Sequence, residues 1–176
     1  KAITEEVALK AAREHEQGRE FKVNIFTGAS TNDHVDGMLA RNNAINMRAP
    51  YQNTPDLRKR INSHDAHYFD RHLSEMAQET RYGFYGPTDI AIIEAAAISE
   101  DGEVLLGCGL GNVPTYAPRA KKIFIELNEA LPQSLLGMHD IYVPQDPPRR
   151  REIPIYAPND RIGRPTLKID PSKVVG

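Results

Sequence analysis

Three apolar, β-branched runs, FKVNIF at 21–26, DIAIIEAAAI at 89–98 and KKIFIEL at 121–127, alternate along this chain with charged stretches of helical period. Strands spaced by polar turns and helices predict an α/β fold: a mostly parallel sheet with helices on both faces. Residues 1–18 place Ile3, Val7, Leu9, Ala11 and Ala12 among charges, and Gly18 is a natural left-handed stop for a helix. The first strand ends in the turn Thr27-Gly28-Ala29-Ser30-Thr31. A helix over DHVDGMLARNNAI follows, with Val35, Met38, Leu39 and Ile45 near one face and Asn32 or Asp33 available as its cap. Pro50 and Pro55 break any continuous helix, Thr54-Pro55 opens a new one, and DRHLSEMAQETRYG is a further helix ending near Gly83. The 89–98 run reads as the clearest buried strand, and Asp101-Gly102 signals a tight hairpin to the next. Residues 140–176 read as an extended, irregular, proline-rich segment with strand-like pieces in HDIYVP and REIPIYAP, and RPTLKIDPSKVVG as a strand and turn.

A chain of 176 residues, 40% hydrophobic and 26% charged, is long enough for one sizeable core, so one domain over 1–176 is expected. With 22 basic and 24 acidic side chains there is no global field to gather nucleic acid or an anionic membrane. A lone cysteine, Cys108, excludes an intrachain disulfide framework and suits a reducing, cytoplasmic setting. No apolar run approaches the ~20 residues that span a bilayer, so a soluble protein is expected. The chain opens on Lys1 inside a helical pattern and ends without a closing helix, and both ends read as cut from something longer.

FTGASTNDHVDGMLARNNAINMRAPYQ, INSHDAHYFDRHLSEMAQ and DIAIIEAAAISEDGEVLLGCGLGNVPTYAPRAKKIFIELN, continuing through GMHDIY to RIGRPTLKIDPSKVVG, together resemble the acetyl-CoA hydrolase/transferase family. The resemblance covers nearly the whole chain and implies an incomplete N-terminal CoA-transferase domain. It further implies an enzyme of two similar α/β halves that moves CoA between carboxylic acids. A glutamate attacks the acyl-CoA carbonyl, giving an acyl-glutamyl anhydride and CoA thiolate. The thiolate then forms a glutamyl-CoA thioester, and a second carboxylate collects the CoA. Water in place of that carboxylate makes a hydrolase. The nucleophilic glutamate is implied downstream of Gly176 and a Gly-rich loop upstream of Lys1, so no catalytic residue is expected in this chain and the fragment alone is expected to be inactive. No tightly bound cofactor and no metal are implied. CoA is a substrate, with acyl-CoA, a small carboxylate, the missing C-terminal half and a second copy in a dimer as partners. The reading from another class is a non-catalytic module that binds a protein or a small ligand.

The substrate-pocket candidates are Thr27, Gly28, Ser30, Thr31, Arg48, Asn53, Gly111 and Asn112. Small residues at a strand's carboxyl end let a ligand approach the backbone, and a hydroxyl there hydrogen-bonds a carboxylate; the alternative is a turn in which Ser30 or Thr31 bonds only to backbone. In RAPYQN, with Arg48, Tyr51 and Asn53, the guanidinium suits a bidentate carboxylate pair or ties two loops together. Gly107, Gly109 and Gly111 fall short of a dinucleotide fingerprint, and Val113-Pro114 stands where a phosphate-cradling helix should begin, so no helix terminus is expected there. The resemblance instead places Gly111 and Asn112 at the cleft between the halves. Cys108 is expected to be buried and unreactive, Glu94 to be a hydrogen-bonded structural carboxylate. His64, His67, Asp70 and His72 lack the spacing of a zinc helix, and Arg149-Arg150-Arg151 reads as a solvated loop.

Overall fold

The computed structural model describes residues 2–28 and 33–176. The chain divides into two compact units, 1–76 and 77–176.

In the first unit α1 (Ala2–Glu16) ends as its sequence predicts. Gly18 takes φ 71°, its N–H reaches the His15 carbonyl at 2.9 Å, and the Arg19 N–H reaches Glu14 at 2.9 Å, closing the last turn in a Schellman motif. The elements β1 (Val23–Phe26), α2 (Asp36–Arg41), β2 (Ile45–Ala49), α3 (Pro55–Asn62) and β3 (His67–Tyr68) follow. The strands form a parallel sheet in the order β1-β2-β3, with Phe26 opposite Ala49 and Arg48 opposite Tyr68. Ala8 and Ala11 of α1, Leu39 and Ala40 of α2, Ile45 of β2 and Leu57 of α3 make its core. Small residues on α1 and α2 let these helices approach the sheet closely.

Two expectations fail in this unit. Ile45 lies in β2, because the preceding helix stops at Arg41 and Asn43 turns the chain at φ 52°. Asp33 does not cap α2: its carboxylate pairs with Arg41 at 3.0 Å, and Val35 at the cap position offers no side-chain bond. Asn32 lies outside the described residues. Thr54 does cap α3, accepting from the Leu57 N–H at 3.4 Å, with Pro55 in the first turn.

In the second unit β4 (Ile90–Ile98), β5 (Glu103–Leu106), α5 (Val113–Arg119), β6 (Lys122–Leu127) and β7 (Leu167–Lys168) follow α4 (Leu73–Arg81), which spans the division point. The sheet order is β6-β4-β5-β7; β4 and β6 are parallel, and the other two pairings are antiparallel. The β4–β5 hairpin turns where Asp101-Gly102 places it, with Gly102 at φ 84°. Ala91, Ile93 and Ala95 of β4 are buried with Val104, Leu106, Ala117 and Ile123. The other face of β4 is open, with Ile90 52% and Ile92 43% exposed, so this strand is covered on one side only.

The helix α5 corrects the reading of the Gly-rich loop. It begins at Val113, because Pro114 in a first turn lacks only an N–H that would have no partner there anyway. REIPIYAP forms no strand, and HDIYVP only a single bridge from Ile141 to Arg164. The irregular segment is held by polar straps: Arg81 grips Asp146 and the Thr115 hydroxyl, Tyr82 donates to the Pro147 carbonyl, and Arg150 reaches Gln78. Among the described residues no helix is long and apolar enough to cross a membrane.

Candidate functional site at the carboxyl edge of the parallel sheet

Parallel strands send their carboxyl ends to one edge, and in the first unit three connections leave from that edge. Backbone bonds hold the strand ends level: the Thr27 N–H donates to Ala49 O at 3.3 Å and the Phe69 N–H to Arg48 O at 2.9 Å. The Tyr68 hydroxyl donates to Pro50 O at 2.9 Å, pinning the start of the β2–α3 loop. Burial, with Asp70 adding to it, pushes the Tyr68 phenol above its ordinary pKa.

Thr27 and Gly28 stand where the sequence placed them, directly after β1, and the Thr27 hydroxyl donates to the Gly28 carbonyl. Ser30 and Thr31 lie outside the described residues. Asn53 is exposed one residue before the cap of α3, and Tyr51 is exposed on the same loop. Gln52, which the sequence reading passed over, carries a buried side-chain oxygen with no hydrogen-bond partner. Its neighbours in RAPYQN could have suggested it as a polar residue on a pocket loop.

For Arg48 the sequence offered substrate contact or a tie between loops. Its side chain is 0% exposed and its Nε donates to Asp36 Oδ1 at 2.9 Å, while Nη1 donates to Ala49 O at 2.6 Å. As placed, the guanidinium ties loops together and presents nothing to solvent. Asp36, the first residue of α2, is 1% exposed, and burial pushes its carboxyl above the ordinary range against the pull of Arg48. Asp36 Oδ2 and Arg48 Nη2 are buried without hydrogen-bond partners. Farther out, exposed Arg41 bridges Asp33 and Asp56 at 3.0 and 2.6 Å, so the same two connections are tied a second time.

Gly111 and Asn112 belong to the second unit, on the loop between β5 and α5. Gly111 adopts φ 48°, and Asn112 accepts from Thr115 and Tyr116 through its carbonyl while its amide nitrogen is buried and unpaired. Cys108 on this loop is exposed, against expectation: the chain leaves β5 at Leu106, and past buried Gly107 the thiol is no longer held to the core face. Glu94 accepts from the Asn128 amide at 2.8 Å, and His139 Nε2 lies 2.6 Å from Gly107 O. The histidines are dispersed: His64 sits in the turn after α3 at φ 63°, His67 is in β3, and the His72 carbonyl accepts at the start of α4.

In open α/β sheets the carboxyl edge of the parallel strands is the usual place for a small ligand. The acetyl-CoA hydrolase/transferase N-terminal domain matches residues 1–175, and the chain belongs to that family. It is 42% identical over 175 residues to a propanoyl-CoA:succinate CoA transferase of Escherichia coli (strain K12), covering 99% of this chain and 36% of that protein. It is 47% identical over 144 residues to a succinyl-CoA:acetate CoA-transferase of Clostridium kluyveri, covering 82% and 27%. An acetyl-CoA hydrolase of Schizosaccharomyces pombe is 39% identical over 182 residues, covering 100% of this chain and 34% of that protein. The chain thus spans about a third of the length of these curated relatives. The family resemblance read from the sequence is borne out.

Proposed function

We propose that residues 1–176 form an N-terminal domain of an enzyme that transfers CoA between an acyl-CoA and a small carboxylate of the acetate or succinate type. The observation that supports this reading beyond the family match is the carboxyl edge of the parallel sheet, where Thr27 and Gly28 follow β1 and the polar loop with Gln52 and Asn53 follows β2. Thr27, Gly28, Ser30, Thr31 and Asn53 line one wall of the acyl pocket in this reading, with Arg48 acting from behind it. Within the second unit Gly111 and Asn112 are substrate contacts implied by the family resemblance, and the unpaired Asn112 amide nitrogen is a donor that a bound acceptor would satisfy.

The nucleophile is a glutamate outside this chain. Its carboxylate attacks the thioester carbon, the C–S bond breaks and CoA leaves as thiolate; the thiolate then attacks the glutamyl carbonyl of the anhydride and releases the first carboxylate. The second carboxylate runs these steps in reverse. What the present residues supply is orientation of the acyl group, which is a large part of such a barrier. The remainder of the same protein and a second copy complete the assembly, CoA enters as substrate, and the setting is a reducing cytoplasm. A hydrolase is the second reading, favoured by the likeness to the acetyl-CoA hydrolase of Schizosaccharomyces pombe; it differs only in whether water reaches the intermediate.

The test is CoA exchange by the full-length protein given acetyl-CoA and succinate, with the CoA esters followed by mass spectrometry. Formation of succinyl-CoA that drops about tenfold or more in Ser30→Ala is expected. Free CoA without succinyl-CoA selects the hydrolase, and turnover by residues 1–176 alone sinks the claim that the nucleophile is elsewhere.

A further inference from the structure

A fully buried ion pair is seldom the most stable way to fill a core, since two apolar side chains of similar volume often do as well or better. Asp36 and Arg48 nevertheless occupy the interior beneath the carboxyl edge, 1% and 0% exposed, and each leaves one buried polar atom, Oδ2 and Nη2, without a hydrogen-bond partner. Such a pair is weak evidence of stabilisation, and a role in specifying local geometry is the other use of buried ions.

The positions joined by the pair are informative. Asp36 opens α2 and so marks the end of the connection that leaves β1 after Phe26. Arg48 lies on the central strand β2; its Nη1 grips Ala49 O just before the loop that carries Tyr51, Gln52 and Asn53, and its own carbonyl accepts from Phe69 at the end of β3. The guanidinium therefore references the exit of β2 and the entry to α2 to a common point, and the backbone of the same residue holds the exit of β3. Its planar fork holds two directions at once, which a lysine ammonium would not.

We propose that Asp36 and Arg48 are a positioning pair for the acyl site, setting the spacing between the start of α2 and the loop after β2, and thereby the affinity for the small carboxylate. This rests on the reading of that edge as the acyl pocket. Neither side chain touches substrate; both act through the loops they hold.

The experiment uses full-length enzyme and steady-state exchange, varying the carboxylate and the CoA ester separately, for Asp36→Leu/Arg48→Met, Asp36→Asn, Ser30→Ala and Asn53→Ala. The expected result is a double variant that melts close to the parent, yet has a carboxylate KM raised about tenfold and kcat/KM lowered by about a hundredfold, the cost of a misplacement near 1 Å. The CoA-ester KM should move by less than about threefold, whereas a uniform loss of active enzyme would lower kcat and leave both KM values alone. If the double variant does not fold, Asp36→Asn, which keeps the shape and removes the charge, carries the readout, with the same split at smaller size. A carboxylate KM unchanged in the folded variant overturns the proposal and leaves the pair a core feature. If Ser30→Ala and Asn53→Ala also leave kinetics untouched, the acyl-pocket reading itself fails; if they alone respond, only the positioning role does.

Discussion

The two units each join an arginine to an aspartate, and the environments reverse the effect on the acid. Arg48–Asp36 is sealed in the first unit, at 0% and 1% exposure, and there burial outweighs the neighbouring charge, so the Asp36 carboxyl is pushed up. Arg81–Asp146 is a two-pronged pair in the second unit, each side chain 21% exposed, and the hydrogen bonds from Arg81 pull the Asp146 carboxyl down. The same two functional groups thus form a costly internal brace in one place and an inexpensive strap in the other, because desolvation of the ions scales with burial faster than their attraction does.

The largest test of that contrast is Arg48→Ala, which leaves the Asp36 carboxylate buried without its partner. A loss of about 3–5 kcal/mol is expected in denaturant unfolding of the full-length protein, while Asp36→Leu/Arg48→Met should cost little or nothing. Equal losses in both would mean that the pair supplies stability after all. Next in size is Gly163→Ala in the proline-rich segment. A methyl there would lie 2.4 Å from the Ile141 carbonyl carbon and oxygen, a backbone approach that only glycine permits, so a loss of about 1–3 kcal/mol is expected. If calorimetry finds Gly163→Ala neutral, the segment rests on its straps alone. Removing a strap by Arg81→Ala should cost less, about 1 kcal/mol or below, and show mainly as faster proteolysis between Pro144 and Ile155.

Local chemistry made much of the fold legible. The glycine stop of α1, the Thr54-Pro55 opening of α3 and the Asp101-Gly102 hairpin each depend on a few neighbouring residues, and each stands as read. β2 was not legible, because Asn46 and Arg48 interrupt its apolar run, and Arg48 is tolerable in the interior only through Asp36, 12 residues earlier. The division into two sheets was hidden for a similar reason: β3 and β7 have two residues each, too short to leave a pattern. Of the proposed site, the positions of Thr27 and Gly28 after β1 and of Asn53 before the cap of α3 follow from turn and capping chemistry, whereas the exposure of Cys108 and the unpaired atoms of Gln52 and Asn112 depend on how the loops fold.

The finest discrimination between the two pairs is their pH response, since linkage gives them opposite signs. Asp146 is held below its unfolded value of about 3.9, so its contribution is present above that pH and is lost as pH falls through the folded value. Asp36 is held above the same reference, so its contribution is complete below about pH 3.9 and is lost as pH rises through its folded value. Asparagine at either position removes the titration while preserving shape. Asp146→Asn should therefore flatten the acid limb below about pH 4, and Asp36→Asn should gain relative to the parent as pH rises above it, both read from denaturation midpoints at fixed ionic strength. Because the Asp146 pair is partly solvated, its effect should also shrink with added salt, whereas the Asp36 effect should persist. If both variants respond to pH and salt alike, burial is not what separates the two pairs, and the internal brace loses its distinguishing physics.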